Sequence, residues 1–256
     1  MVQSCPEPCP SWMGTCMRTV RAWAAHRGYR YLRVPDADCL AAVPAWFRDK
    51  AGRIIQPVTD LGRVEAAIGC LRTGAAAAVW VDADVLVFDP HGFALPACDR
   101  AALTREIWLD RTGPAGTPCC VERVNNSVLV ARDLGFLQPY RAACLRIARH
   151  CDGPLGKAAV GTHYLTDLHR RRPLPLVRHV GNFSPHLIRA VLRAEREILD
   201  SYRAVVGEPL FAANLCASYQ NVDYFGTTLG AADYERLVEV LLDSAGAALS
   251  PGDLGS

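Results

Sequence analysis

Lysine is nearly absent from this chain: of its 28 basic residues only Lys50 and Lys157 are not arginine, the Arg and Ala bias expected of a high-GC bacterial genome. Excess charge is missing too, because 28 Lys and Arg face 26 Asp and Glu for a formal net charge of +2. Neither nucleic acid nor an anionic membrane is therefore the expected partner. No run reaches the roughly 18 to 20 apolar residues that a membrane span needs. The first residues, MVQSCPEPCPSWMG, lack the basic and apolar regions of a signal peptide, so a cytoplasmic location is expected. Paired C-x-x-C spacing is also missing. Cys5, Cys9 and Cys16 are close but not so spaced, Cys119 and Cys120 are adjacent without other ligands, and the odd total of eleven argues against a full disulfide framework. Free, partly buried thiols are the expectation. No repeat, low-complexity segment or linker divides the chain.

What remains is a 256-residue chain, half of it hydrophobic, long enough for one large α/β core. A short strand at Met1–Ser4 precedes the Pro-rich turn Pro6–Pro10, and Ser11 opens a helix whose Trp12, Cys16, Val20 and Trp23 recur at helical spacing. Gly28 stops that helix, and a strand follows from Tyr29 to Pro35. A second helix fits Thr59–Thr73, with Thr59 as its cap and Leu61, Val64, Ile68 and Leu71 as its stripe. It leads into Ala75–Pro90, AAAAVWVDADVLVFDP, an apolar run punctuated by two carboxylates. Strand, helix and strand in this order signal a mostly parallel sheet flanked by helices. Further along, a short helix is expected within Leu95–Arg105, a loop over Arg111–Pro118, a strand over Val121–Ala131, and helices over Leu134–His150, Ala158–Arg171 and Pro185–Tyr202. Pro173–Val180 reads as extended.

The carboxylates of Asp82-Ala83-Asp84 carry the chemistry. Residues i and i+2 of a strand face the same side, so both acids are expected at the carboxyl end of a core strand, where open α/β sheets place ligands. Mg²⁺ and Mn²⁺ bind through one or two such carboxylates and the phosphate oxygens of a substrate. Three further features follow the same order along the chain: Thr59-Asp60-Leu61-Gly62-Arg63 before the strand, Asn125-Asn126-Ser127 after it, and His179-Val180-Gly181 later.

With these motifs the chain resembles the nucleotide-sugar-dependent glycosyltransferases of the GT-A fold, in the mannosyltransferase-like and toxin glucosyltransferase-like group that carries an S/T-D-x-x-R helix ahead of a D-x-D strand. The likeness covers about residues 12 to 185. It implies a single Rossmann-like GT-A domain spanning 1–256, with a nucleotide-binding part over about 1–90, an acceptor-side part over about 91–205 and a C-terminal helical tail over 206–256. It implies that Asp60 meets sugar hydroxyls and Arg63 the donor, that Asp82, Ala83 and Asn125 also bind the donor, and that Asp84 and Asn126 act in catalysis. The metal, Mn²⁺ or Mg²⁺, would be held by Asp84, Asp82 and His179. His163 and His169 compete for the histidine position, and Ser184 stands where related loops carry a phosphate-binding lysine. Gly153-Pro154 resembles a donor-side turn, and Arg170-Arg171-Arg172 could attract diphosphate.

The implied reaction moves a sugar from a UDP- or GDP-type donor to an unknown acceptor hydroxyl, with retention at the anomeric carbon. An inverting enzyme would need a carboxylate base, for which Asp167 and Glu122 are candidates. Two alternatives share the fold: a non-catalytic nucleotide-sugar or metal-binding protein, and a sugar-phosphate nucleotidyltransferase. The latter normally opens with a Gly-rich phosphate loop and a basic residue, which residues 1–30 lack.

Overall fold

The computed structural model describes residues 1–110, 118–246 and 249, so most of the expected 111–118 loop lies outside the described residues. In chain order the strands are β1 (Val2–Cys5), β2 (Leu32–Pro35), β3 (Ala78–Val81), β4 (Val85–Val87), β5 (Ala101–Asp110), β6 (Cys119–Ala131), β7 (Leu176–Val177), β8 (Val180–Asn182) and β9 (Ala212–Asn214). The helices are α1 (Ser11–His26), α2 (Asp36–Ala41), α3 (Ala45–Ala51), α4 (Ile55–Arg72), α5 (Leu134–His150), α6 (Thr162–Arg171), α7 (Pro185–Arg193), α8 (Arg196–Val206) and α9 (Ala231–Asp243).

Among the described residues six strands form the central sheet in the order β2-β1-β3-β6-β5-β7. Only β6 runs against the rest, antiparallel to both β3 and β5, while β1 is parallel to β2 and β3 and β5 is parallel to β7. The sheet is mostly parallel and flanked by helices, as the sequence pattern indicates. Alternation along β3 shows why its sequence is apolar throughout. Ala78 and Trp80 pack with Val64 and Ile68 of α4 and with Leu137 and Tyr140 of α5. Val79 and Val81 pack on the other face with Val20 and Trp23 of α1. A strand covered on both faces has no polar side to show.

The apolar run does not continue as one strand. At Asp82 the chain leaves the central sheet, turns, and enters a three-stranded sheet ordered β4-β9-β8. The turn closes where Val85 N–H donates to Asp82 O at 3.1 Å, and Gln3 Nε2 donates to the same carbonyl at 3.0 Å. Helices α7, α8 and α9 cover the small sheet with a core that includes Leu187, Ile188, Tyr202 and Leu237. Asp82-Ala83-Asp84 is thus the hinge between two sheets and not the end of a continuing strand.

Several boundaries differ from the sequence reading for identifiable reasons. Helix α4 starts at Ile55, one turn before Thr59, because Pro57 falls in the first turn, where a missing N–H costs nothing. Thr59 Oγ1 then donates to Gln56 O at 2.9 Å instead of capping. Ser11 likewise does not cap α1; its hydroxyl donates to Glu235. The helix expected within Leu95–Arg105 is loop followed by β5, a strand buried along nearly its whole length whose Thr104, Arg105 and Glu106 mask its character. The expected helix over Pro185–Tyr202 is two helices, broken where Ala194 adopts φ 51. The expected helical tail over 206–256 holds more than helix among its described residues, because β9 is the middle strand of the small sheet and a 3-10 turn, Ala217–Tyr219, follows it.

Candidate functional site

The carboxyl ends of β1, β3 and β5 and the first half of the antiparallel β6 surround a cleft of about 740 Å³. This is where an open α/β sheet leaves room for a ligand. Asp60, Arg63, Asp82, Ala83, Asp84, Asn125 and Asn126, all singled out from sequence, line it together.

Arg63 ties them to one another. Its Nη1 donates to Asp60 Oδ1 at 2.7 Å and to Asn126 Oδ1, and its Nη2 donates to Asp82 Oδ2 at 2.8 Å. One guanidinium therefore clamps α4, the end of β3 and the middle of β6. Trp80 Nε1 donates to Asp82 Oδ1 at 2.7 Å, so both oxygens of Asp82 are engaged. The helical start at Ile55 places Asp60 well inside α4, with its i+3 neighbour Arg63 on the same face. The sequence reading has Asp60 and Arg63 meeting a ligand; the structure engages them first with each other.

Asp84 is held differently. Its Oδ2 accepts Ala217 N–H at 2.8 Å, and among the described residues no cationic side chain pairs with it. Burial raises the carboxyl pKa of all three acids. Asp82 is pushed up to about 7 by burial, with Arg63 opposing and the neighbouring charge of Asp84 adding to the rise. Arg63 itself is raised: burial acts to lower it, and Asp82 and Asp60 outweigh that. Two carboxylates around one guanidinium, with a third nearby, leave the cleft floor short of positive charge.

The asparagines stand at a register jump in β6, which pairs with β5 from Cys119 to Asn125 and again at Val130 and Ala131, and with β3 from Val128 onward. Asn125 Nδ2 donates to Glu106 Oε2 at 2.6 Å and to Asn182 Oδ1 at 2.9 Å, while its Oδ1 accepts Ser127 N–H at 3.0 Å. Asn126 Nδ2 donates to Tyr140 OH at 3.1 Å. Both amides serve the bulge, holding Arg63 and Glu106 in place.

His179 is not brought into the cleft. Its Nδ1 lies 2.8 Å from Pro209 O and its ring packs beside Phe211, because its carbonyl pairs with the start of β9 and turns the side chain away. His169 accepts Leu174 N–H through Nδ1, whereas His163 lines the cleft. Ser184 caps α7, accepting Leu187 N–H at 3.2 Å. Glu122 pairs with Arg105 and Asp167 with Arg171, and neither lines the cleft. Sequence reasoning missed two cleft carboxylates: Glu106, paired with Arg123 and buried mid-strand, and Asp36, which accepts the Ser4 hydroxyl at 2.8 Å. Also missed were Lys157, whose Nζ sits 3.7 Å from the ring centroid of Tyr219, and Ala217. Lys157 carried a signal, as one of two lysines directly after Gly153-Pro154-Leu155-Gly156; Ala217 and Tyr219 carried none.

Among the described residues no group of three or more His, Cys, Asp or Glu is arranged to hold a metal ion. The donor set still suits a hard divalent cation. Among the described residues Asp84 has no ion-pair partner, Asp82 adjoins it, and Mg²⁺ and Mn²⁺ commonly take one or two carboxylates with substrate phosphates completing the shell. Among the described residues no helix is long and apolar enough to cross a membrane.

No protein-family model matches the chain, and no curated protein does. Among solved structures it is similar to the crystal structure of a glycosyltransferase involved in the glycosylation of the major capsid of PBCV-1. That similarity has 12% identity and a TM-score of 0.44, and covers 93% of this chain and 98% of the other.

Two outcomes follow from this geometry. A Cβ on Gly161 would overlap Asp60 Oδ2, so Gly161→Ala is expected to lower stability in urea unfolding by about 1–3 kcal/mol, the range for overpacking a tight site. Unchanged stability would show that Asp60 is not pinned against α6. The second concerns pH. Asp82 binds its proton more tightly folded than unfolded, so its contribution to stability is present below about pH 4 and is lost as pH rises through about 7. In chelator-treated protein, the stability of wild type relative to Asp82→Asn should therefore fall between about pH 4 and pH 8. A rise over that window would mean that pairing with Arg63 outweighs burial.

Proposed function

We propose that this chain is a metal-dependent glycosyltransferase of the GT-A type, moving a sugar from a UDP- or GDP-type donor to an acceptor hydroxyl with retention. The observation that carries the reading is the placement of Asp82-Ala83-Asp84 at the turn between the two sheets, on the floor of the cleft. Asp84 faces the cleft with no cationic side chain paired to it among the described residues and is the residue that would hold Mn²⁺ or Mg²⁺, with Asp82 beside it. Such an ion would neutralise charge on the departing diphosphate. Asp82 and Ala83 border the donor from the same turn. Asp60, Asn125 and Asn126 position it through Arg63 and Glu106. Asn126 thus enters as a positioning residue, because both ends of its amide are engaged by protein.

In the retaining reaction the bond between the anomeric carbon and the diphosphate oxygen breaks, and a bond to the acceptor oxygen forms on the same face. The departing diphosphate takes the acceptor proton, so no protein base is required. An inverting course would call on Glu106, which is already engaged by Arg123 and Asn125. The Pro-rich β1–α1 connection has no glycine over Pro6–Pro10 to bring backbone against a phosphate, which disfavours nucleotidyl transfer. A second reading, donor binding without turnover, is favoured by one observation: both terminal nitrogens of Arg63 and both carboxylate oxygens of Asp82 are engaged by the protein's own groups.

Donor hydrolysis with UDP- and GDP-hexoses, with and without Mn²⁺, separates the readings. Metal-dependent release of sugar is expected, and Asp84→Asn should lower it by about a hundredfold or more, the scale of losing one group that faces developing charge. Nucleotide-induced thermal stabilisation without hydrolysis would establish the binding reading instead. Activity of Asp84→Asn close to wild type at limiting Mn²⁺ would remove Asp84 from the reaction.

A further inference from the structure

The cleft's cations are unequally committed. Arg63 is taken up by Asp60 and Asp82, and Arg123 by Glu106. Lys157 differs: among the described residues its ammonium meets no carboxylate and no hydrogen-bond acceptor, only the face of Tyr219 at 3.7 Å. A ring face is a weak partner for an ammonium, worth roughly 0.5–1 kcal/mol at an exposed site, whereas a phosphate oxygen offers a charge-assisted hydrogen bond.

Position gives this cation its meaning. Lys157 reaches across from the loop between α5 and α6, and Tyr219 belongs to the 3-10 turn on the opposite wall. The same turn begins with Ala217, whose N–H holds Asp84. Carboxylate and ammonium therefore share one rim of the cleft, where an anion drawn to a metal at Asp84 would meet Lys157. No other lysine lines the cleft, and Ser184 is occupied in capping α7.

We propose that Lys157 holds the diphosphate of the donor, its ammonium leaving the face of Tyr219 for the phosphate oxygens when nucleotide binds. This rests on the nucleotide-donor reading above. Lys157 then stabilises the charge that grows on the departing diphosphate as the glycosidic bond breaks, and Tyr219 keeps the ammonium in the cleft between turnovers.

The test is calorimetric titration of the full chain with UDP, GDP and dTDP in Mg²⁺, for wild type, Lys157→Met and Lys157→Arg. The diphosphate that wild type binds should bind Lys157→Met about tenfold to a hundredfold more weakly, the effect of losing one charged hydrogen bond. Lys157→Arg should recover much of the loss, and both variants should melt as wild type does. Equal binding by wild type and Lys157→Met would overturn this assignment while leaving the donor reading intact. Equal losses in Lys157→Met and Lys157→Arg would also overturn it, because charge would then not be what matters. Failure of wild type to bind any of the three diphosphates would overturn the donor reading and this inference together.

Discussion

The site depends on one guanidinium. Arg63 is the point at which α4, the end of β3 and the bulge of β6 are joined by charge-assisted hydrogen bonds. Removing one partner of a buried pair of this kind costs about 3–5 kcal/mol, because the remaining charge is left uncompensated. Here two carboxylates share one cation, so the cluster is short of positive charge even when intact. Burial answers that shortage by raising the pKa of Asp60, Asp82 and Asp84. Under the proposed function, a divalent cation on Asp84 would answer it better.

The second constraint is topological. A strand that ended at Val81 within one sheet would present its acids at a single edge. Because the chain turns at Asp82 and begins β4 in another sheet, Asp84 is instead held from the far side by Ala217, just after β9. The two acids are two residues apart in sequence but belong to different walls, one locked by Arg63 and Trp80 and the other held by a backbone amide. Under the proposed function, that division separates Asp82, which maintains the site, from Asp84, which would serve the ligand.

Much of this was legible in the sequence, and for physical reasons. The doubly covered β3, the stripe of α4 and the span of α5 follow from apolar periodicity, and α5 begins and ends where the pattern places it. The grouping of Asp60, Arg63, Asp82, Asp84, Asn125 and Asn126 in one cleft was readable because motifs at strand ends converge at the sheet's carboxyl edge. Their partners were not. Glu106 sits in a strand whose polar residues are satisfied across the sheet, so no pattern marked it. Ala217 and Tyr219 act through backbone placement and ring geometry that no local motif encodes. His179 misled because a residue after a strand can face either way, and the pairing that turns it toward Pro209 comes from β9, about thirty residues later.

A crystal structure with Mn²⁺ and a nucleoside diphosphate tests the central claim most directly. The account predicts the phosphates on the Asp84 side of the cleft, with the ion on Asp84 and the guanidinium of Arg63 still bound to Asp60 and Asp82. A nucleotide bound elsewhere, or an Arg63 that abandons both carboxylates to grip the phosphates, would contradict it.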